Sequence, residues 1–216
     1  VSSRRLPSIP PQAPRFGHAW SRALGRAALA LSRWRVEGEV PDVPRLVAVV
    51  APHTCWTDLL VGLAVVLALG VRVSWLGKHT IFRPPLSRLL RCLGGIPVDR
   101  QAPESVVAQA VEMFRRSGRL YLALAPEGTR RRVERWKTGF HRIALGAGVP
   151  IVPVWLDYGS RCVGIGPPLA PSGDVAADLA RLAVFFDARM ARHPERFSPP
   201  QGQPPTARVF HSLPAR

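Results

Sequence analysis

The chain has 216 residues, 47% of them hydrophobic and 20% charged, enough apolar material for one domain with a sizeable core, which excludes a chain disordered throughout. A formal charge of +16, carried by arginine everywhere except Lys78 and Lys137, either calls for an anionic partner (nucleic acid, a phospholipid surface or a phosphorylated small substrate) or reflects biased codon usage in an Ala-, Arg-, Pro- and Gly-rich chain. Cys55, Cys92 and Cys162 stand far apart with no C-x-x-C pair, so neither a disulfide framework nor a zinc ribbon is indicated and a reducing, cytosolic setting fits.

Residues 1–18 carry Pro7, Pro10, Pro11 and Pro14 among Ser, Gln and Arg, the composition of a flexible arm. No cleavable signal peptide is expected, because the first apolar block follows this arm and is broken by arginines. In residues 19–35, Trp20, Leu24, Ala27, Leu31 and Trp34 recur at steps of four, three, four and three, an apolar stripe of helical period, with Arg22, Arg26 and Arg33 on another face. Seven arginines and no acid precede Glu37. This stretch therefore reads either as a helix lying at a membrane interface or as an amphipathic helix docked on the core through that stripe. Val36 to Val43 suits an edge strand or turn.

Arg45 to Ala51 is a short β-branched run closed by Pro52, a buried strand that ends where a loop begins. The apolar run Leu59 to Val71 then predicts a helix starting near Thr57; at about 13 residues it is shorter than the roughly 20 a bilayer span needs. His53 falls in the loop and Asp58 in the first helical turn. A helix N-terminus keeps a carboxylate ionised and an imidazole neutral, and a carboxylate accepting from one ring nitrogen leaves the other able to take a proton. That is the base and orienting acid of general-base catalysis.

Further on, Val71 to Leu76 reads as a strand, Leu86 to Cys92 as a short helix and Ile96 to Arg100 as an extended segment whose Arg100 can face the same loop edge as His53. Glu104 to Arg116 is a helix, Leu120 to Ala125 a buried strand, Thr138 to Leu145 a helix, Ile151 to Leu156 a strand, Cys162 to Ile165 an edge strand and Asp174 to Met190 a last helix. The alternation predicts an α/β fold: a single domain over residues 36–197 with a central mixed, mostly parallel sheet flanked by helices, preceded by the N-terminal amphipathic helix and followed by a loose Pro-rich tail over 198–216. In such sheets ligands gather where strands give way to loops, and both His53 and Glu127 lie just after strands. Gly128, Thr129 and Arg130 offer close backbone approach, a hydroxyl and a guanidinium, the parts of a phosphate site.

Six blocks in order carry a resemblance: H-x-x-x-x-D at His53 to Asp58, G-K with I-F-R at Gly77 to Arg83, L-G-G-I-P-V-D-R at Leu93 to Arg100, P-E-G-T-R at Pro126 to Arg130, K-T-G-F at Lys137 to Phe140 and V-P-I-V-P-V at Val149 to Val154. Over about residues 45 to 158 the chain resembles the glycerolipid acyltransferase family typified by bacterial lysophosphatidate acyltransferases. The resemblance implies transfer of a fatty acyl group from coenzyme A or acyl carrier protein, as thioester co-substrate, to a hydroxyl of a lysophospholipid or glycerol phosphate. It makes His53 the general base and Asp58 its orienting acid. Arg100, Glu127, Gly128, Thr129 and Arg130 become the acceptor's phosphate site, and Lys78 a further phosphate contact.

No metal and no bound cofactor is expected, and the tetrahedral oxyanion would take backbone N–H groups at the start of the helix after His53. The expected setting is peripheral, on an anionic membrane surface at the cytoplasmic side. Pro52 and Cys55 depart from the family pattern of Asn and Ser, and Cys55 opens a rival route in which a thiolate takes the acyl group first. Two other readings stand beside this one. A basic nucleic-acid binder is disfavoured by the absence of zinc-finger or RNA-recognition signatures, and a hydrolase or metal enzyme by the absence of G-x-S-x-G and H-E-x-x-H. A non-glycerol lysolipid is an alternative acceptor.

Overall fold

A computed structural model describes residues 6–99 and 103–200. Its elements run α1 (Ala19–Ser32), β1 (Arg35–Gly38), β2 (Arg45–Ala51), α2 (Thr57–Leu69), β3 (Val73–Lys78), α3 (Leu86–Cys92), β4 (Gly95–Val98), α4 (Pro103–Arg116), β5 (Leu120–Leu124), α5 (Gly139–Ala147), β6 (Ile151–Asp157), β7 (Cys162–Ile165) and α6 (Val175–Ala183). The strands form one sheet in the order β1-β7-β6-β2-β5-β3-β4. Pairing is parallel throughout except between β6 and β7. The predicted mixed, mostly parallel α/β sheet is thus borne out.

Alternation along β2 divides the core. Val47, Val49 and Ala51 face Phe114 of α4, Phe140 and Ile143 of α5 and Leu182 of α6. Leu46 and Ala48 belong to the opposite layer with Val65 and Ala68 of α2 and Leu29 of α1. A strand buried on both faces has to be apolar at every position, which is why Arg45 to Ala51 shows no polar alternation.

Three expectations are corrected. The described part of the N-terminal segment, residues 6–18, is docked: Ala13 is fully buried, the Phe16 N–H donates to Gly70 O at 2.8 Å, and the Arg72 N–H donates to Pro14 O at 2.8 Å. The α2–β3 junction leaves these backbone groups without a sheet or helix partner, and a proline-stiffened chain supplies them at little entropic cost. The last helix ends at Ala183 instead of Met190; Asp187 accepts from the Arg189 N–H and starts a separate short turn. At the other end Ser198 is buried, with its carbonyl taking the Trp136 indole N–H at 2.7 Å and its hydroxyl the Val133 N–H at 2.9 Å, so the tail is tied down as far as residue 200. Residues 201–216, the rest of that tail, lie outside the described residues.

The helix α1 docks on α2, but not through its apolar stripe. Ser21, Gly25 and Leu29 are its buried positions, while Trp20, Leu24 and Leu31 are 68%, 57% and 86% exposed. A Cβ on Gly25 would lie 2.3 Å from the Ala68 backbone nitrogen. The two helices approach so closely that only glycine fits, and the small-residue face wins the interface. The helix also stops at Ser32, two residues short of Trp34, because Arg33 takes a left-handed conformation and closes the last turn.

Gly25→Ala should therefore lower the melting temperature, since a backbone clash of this kind costs about 1–3 kcal/mol against a helix-propensity gain of about 1 kcal/mol. In α2, Gly62→Ala, whose Cβ would meet nothing within 4 Å, should raise it. Thermal unfolding of the two variants checks the contrast.

Candidate active site

Because β2, β3, β4, β5 and β6 run the same way, their carboxyl ends share one edge of the sheet. The residues that follow them are His53 after β2, Glu127 after β5, Tyr158 after β6, Lys78 at the end of β3 and Asp99 after β4. β2 sits between β5 and β6, so His53 is flanked by Glu127 on one side and Tyr158 on the other. Lys78 is exposed and stands two strands from β2, roughly 10 Å along the sheet. Arg100 lies outside the described residues.

The loop between β2 and α2 folds around one carboxylate. Asp58 Oδ2 accepts the backbone N–H of Thr54 at 2.8 Å and of Cys55 at 2.9 Å and lies 3.1 Å from His53 Nδ1. Its Oδ1 accepts the Tyr158 hydroxyl at 2.6 Å and the Cys55 thiol at 2.9 Å. Burial alone would raise the carboxyl pKa. The donors from His53, Cys55 and Tyr158 outweigh it, holding the group down at about 2. An ionised Asp58 fixes hydrogen on His53 Nδ1, and Nε2 has no hydrogen-bond partner among the described residues. The imidazole is 27% exposed, so Nε2 can meet a substrate.

Glu127 braces the neighbouring turn. Its Oε1 accepts the His53 backbone N–H at 3.0 Å, and its Oε2 is buried without a partner among the described residues. Burial raises its pKa, partly offset by that N–H. The carboxyl thus ties the P-E-G-T-R turn to the His53 loop and is not turned outward toward a phosphate. Gly128 has φ +65°, and a Cβ there would lie 3.1 Å from Lys137 Cε, so the lysine stem passes directly over the turn. Thr129 is half-buried and Arg130 exposed.

The site and the fold have counterparts. A family model described as Acyltransferase matches residues 33–157. The chain belongs to the acyltransferase family. No curated protein sequence matches it. Among solved structures, the 1-acyl-sn-glycerophosphate (LPA) acyltransferase PlsC from Thermotoga maritima shares 20% identity, over 72% of this chain and 69% of that one, with a TM-score of 0.53. At that identity the likeness is one of fold. The resemblance read from the six ordered blocks is borne out, and the acyltransferase match ends within one residue of Tyr158.

Three features of this acyltransferase site were out of reach of sequence reasoning. Tyr158 lies 100 positions from Asp58 and carries no motif; only its place just past a strand could have pointed to it. Its ring is held edge-on by Trp34 at 4.9 Å and its hydroxyl also meets Thr57 Oγ1 at 2.9 Å. Burial and the Asp58 carboxylate both raise its pKa, so it stays a donor. Lys137 was read only as part of the K-T-G-F block, and the structure lays it over Gly128. The Thr54 and Cys55 N–H groups, next to His53 in the same loop, are already spent on Asp58. The Cys55 thiol is buried and donates to the same carboxylate at 2.9 Å, so it is turned into the loop and not presented to a substrate as a nucleophile. Among the described residues no three His, Cys, Asp or Glu side chains form a metal-ligand set.

A carboxyl whose folded pKa of about 2 lies below its ordinary 3.8 adds stability that is fully present above pH 3.8 and is lost as pH falls through about 2. Tyr158→Phe removes one donor, so the Asp58 pKa should rise by about one unit and the acid loss of stability should begin at correspondingly higher pH. Carboxyl carbon NMR titration, alongside unfolding between pH 2 and 5, measures both.

Proposed function

We propose that this acyltransferase moves a fatty acyl group from a thioester, of coenzyme A or acyl carrier protein, to a hydroxyl of a lysophospholipid of the 1-acylglycerol-3-phosphate type. The single observation that carries the reading is the His53–Asp58 pair: Nδ1 is held at 3.1 Å by a buried carboxylate and Nε2 is open at the sheet edge that also bears the P-E-G-T-R turn. His53 Nε2 takes the proton of the acceptor hydroxyl as its oxygen bonds to the thioester carbon. The tetrahedral intermediate then collapses with cleavage of the C–S bond, and the imidazolium returns its proton to the departing sulfur. Proton, acyl group and electron pair balance without any further reactant.

The acceptor's phosphate is assigned to Thr129, Arg130 and Lys137 around the exposed turn, with Lys78 as a further cation at the same edge and Arg100, outside the described residues, assigned from its motif alone. Glu127 is assigned to positioning: a buried carboxylate repels a phosphate, but it fixes the spacing between the anion turn and the base. Thus the five-residue block works as one clamp, with its glutamate facing the enzyme and its cation facing the substrate.

The enzyme is proposed to sit on the membrane peripherally, at the cytoplasmic face, through the outward stripe of α1. Among the described residues no helix is long and apolar enough to cross a membrane. Trp20, Leu24 and Leu31 are exposed on α1, and Trp56, Leu59 and Leu60 at the start of α2 are 62%, 49% and 49% exposed. Such large apolar side chains on a docked helix pair suit the bilayer interface, and Trp56 places that contact three residues from His53.

His53→Ala should lower kcat by about 100- to 10,000-fold with circular dichroism unchanged, whereas Arg130→Ala should mainly raise KM for the lysolipid. Wild-type turnover by the His53 variant, assayed with a lysophosphatidate and an acyl thioester, would remove the proposed base. The double variant Trp20→Ser/Leu31→Ser should co-sediment less with anionic liposomes while keeping its melting temperature. Undiminished binding would place the membrane contact elsewhere.

A further inference from the structure

At the far end of α2 from His53 lies a cavity of about 510 Å³, bounded by the N-terminal arm, α1 and the α2 C-terminus. Helix α2 spans 13 residues, so the cavity is roughly 20 Å from the catalytic loop and separate from it. Its cations come from two elements: Arg15 from the arm, and Arg22 and Arg26 one turn apart on α1. Its apolar wall includes Ile9, Phe16 and Leu69, and among the described residues no acidic one lines it.

Among the described residues none of the three guanidinium groups has an ion-pair or side-chain hydrogen-bond partner. Like charges one helical turn apart repel, and the chain holds no acid before Glu37 that could relieve them. The fold nevertheless brings them together. The Arg15–Val71 bridge fixes the arm beside α2, and Gly70, with φ +73°, makes room for the Arg22 stem, since a Cβ there would lie 2.9 Å from Arg22 Cδ. A volume of this size matches small-ligand sites, and planar guanidinium forks suit phosphate oxygens.

We propose that this cavity binds the phosphate of an anionic diacyl phospholipid, with its glycerol and first methylene groups against Ile9, Phe16 and Leu69. The half-apolar wall distinguishes such a ligand from a bare anion, and the charge explains a preference for anionic over zwitterionic lipid. The site is an addition to the interfacial seating proposed above and takes no part in acyl transfer.

The test uses dihexanoyl phosphatidylglycerol, a short-chain lipid soluble as a monomer, so the result does not depend on vesicle binding. A diazirine on its acyl chain should label peptides covering residues 6–26 and 68–70. Arg22→Gln/Arg26→Gln should lose about tenfold or more of that labelling, as should the single variant Arg15→Gln to a lesser degree, while turnover of soluble substrates stays at the wild-type level. Inorganic phosphate at the lipid's own half-saturating concentration should leave the label in place. Labelling confined to the catalytic loop, labelling unchanged in the double variant, or displacement by inorganic phosphate at that concentration would each overturn the proposal. Because turnover is read separately, loss of the lipid site and loss of the acyl-transfer reading are distinguishable.

Discussion

One buried carboxylate organises the carboxyl edge of the sheet in this acyltransferase. From the first turn of α2, Asp58 gathers donors from the preceding loop and from a strand end 100 residues away, and each of its oxygens is occupied by more than one of them. Burying an ion is costly unless its lone pairs are filled, and here they are filled, which keeps the group charged far below neutral pH. The same charge fixes which ring nitrogen of His53 carries hydrogen. The fold of the loop and the orientation of the His53 imidazole are therefore set by one side chain.

The parallel sheet does the rest of the gathering. Crossovers return β2 through β6 in the same direction, so loops distant in sequence emerge at one edge. β2 lies between β5 and β6, which puts Glu127 and Tyr158 on either side of His53. Glu127 spans the gap to one side through the His53 N–H, and Tyr158 spans the other through Asp58. His53 is held from both neighbours, leaving one nitrogen to face outward. The unpartnered oxygen of Glu127 is the one buried side-chain nitrogen or oxygen among the described residues left without a hydrogen bond.

Opposite demands are met on the α1–α2 pair. A surface helix normally buries its largest apolar side chains, but α1 buries serine, glycine and a leucine and turns its tryptophan and leucines outward. The close approach at Gly25 gives enough van der Waals contact to hold the helix without them. What is left exposed is a continuous feature of the helix, not a scatter of single residues, and it lies in the same layer as the start of α2, where Trp56 projects beside the His53 loop.

The order of strands and helices was legible in the sequence because β-branched runs, glycine stops and helical periodicity are local signals, and the pairing of His53 with Asp58 was legible because both lie in one loop and one helical turn. Family membership was legible too, in six short blocks that keep their order. Three things needed the fold. Which face of α1 docks depends on how closely two backbones can approach, which the apolar stripe alone does not reveal. Whether the proline-rich residues 6–18 are ordered depends on unpaired backbone groups at the α2–β3 junction. Tyr158 joins Asp58, and Lys137 meets Gly128, only because tertiary structure brings them within van der Waals or hydrogen-bond range; a hydrogen bond has a reach of about 3 Å and no memory of separation along the chain.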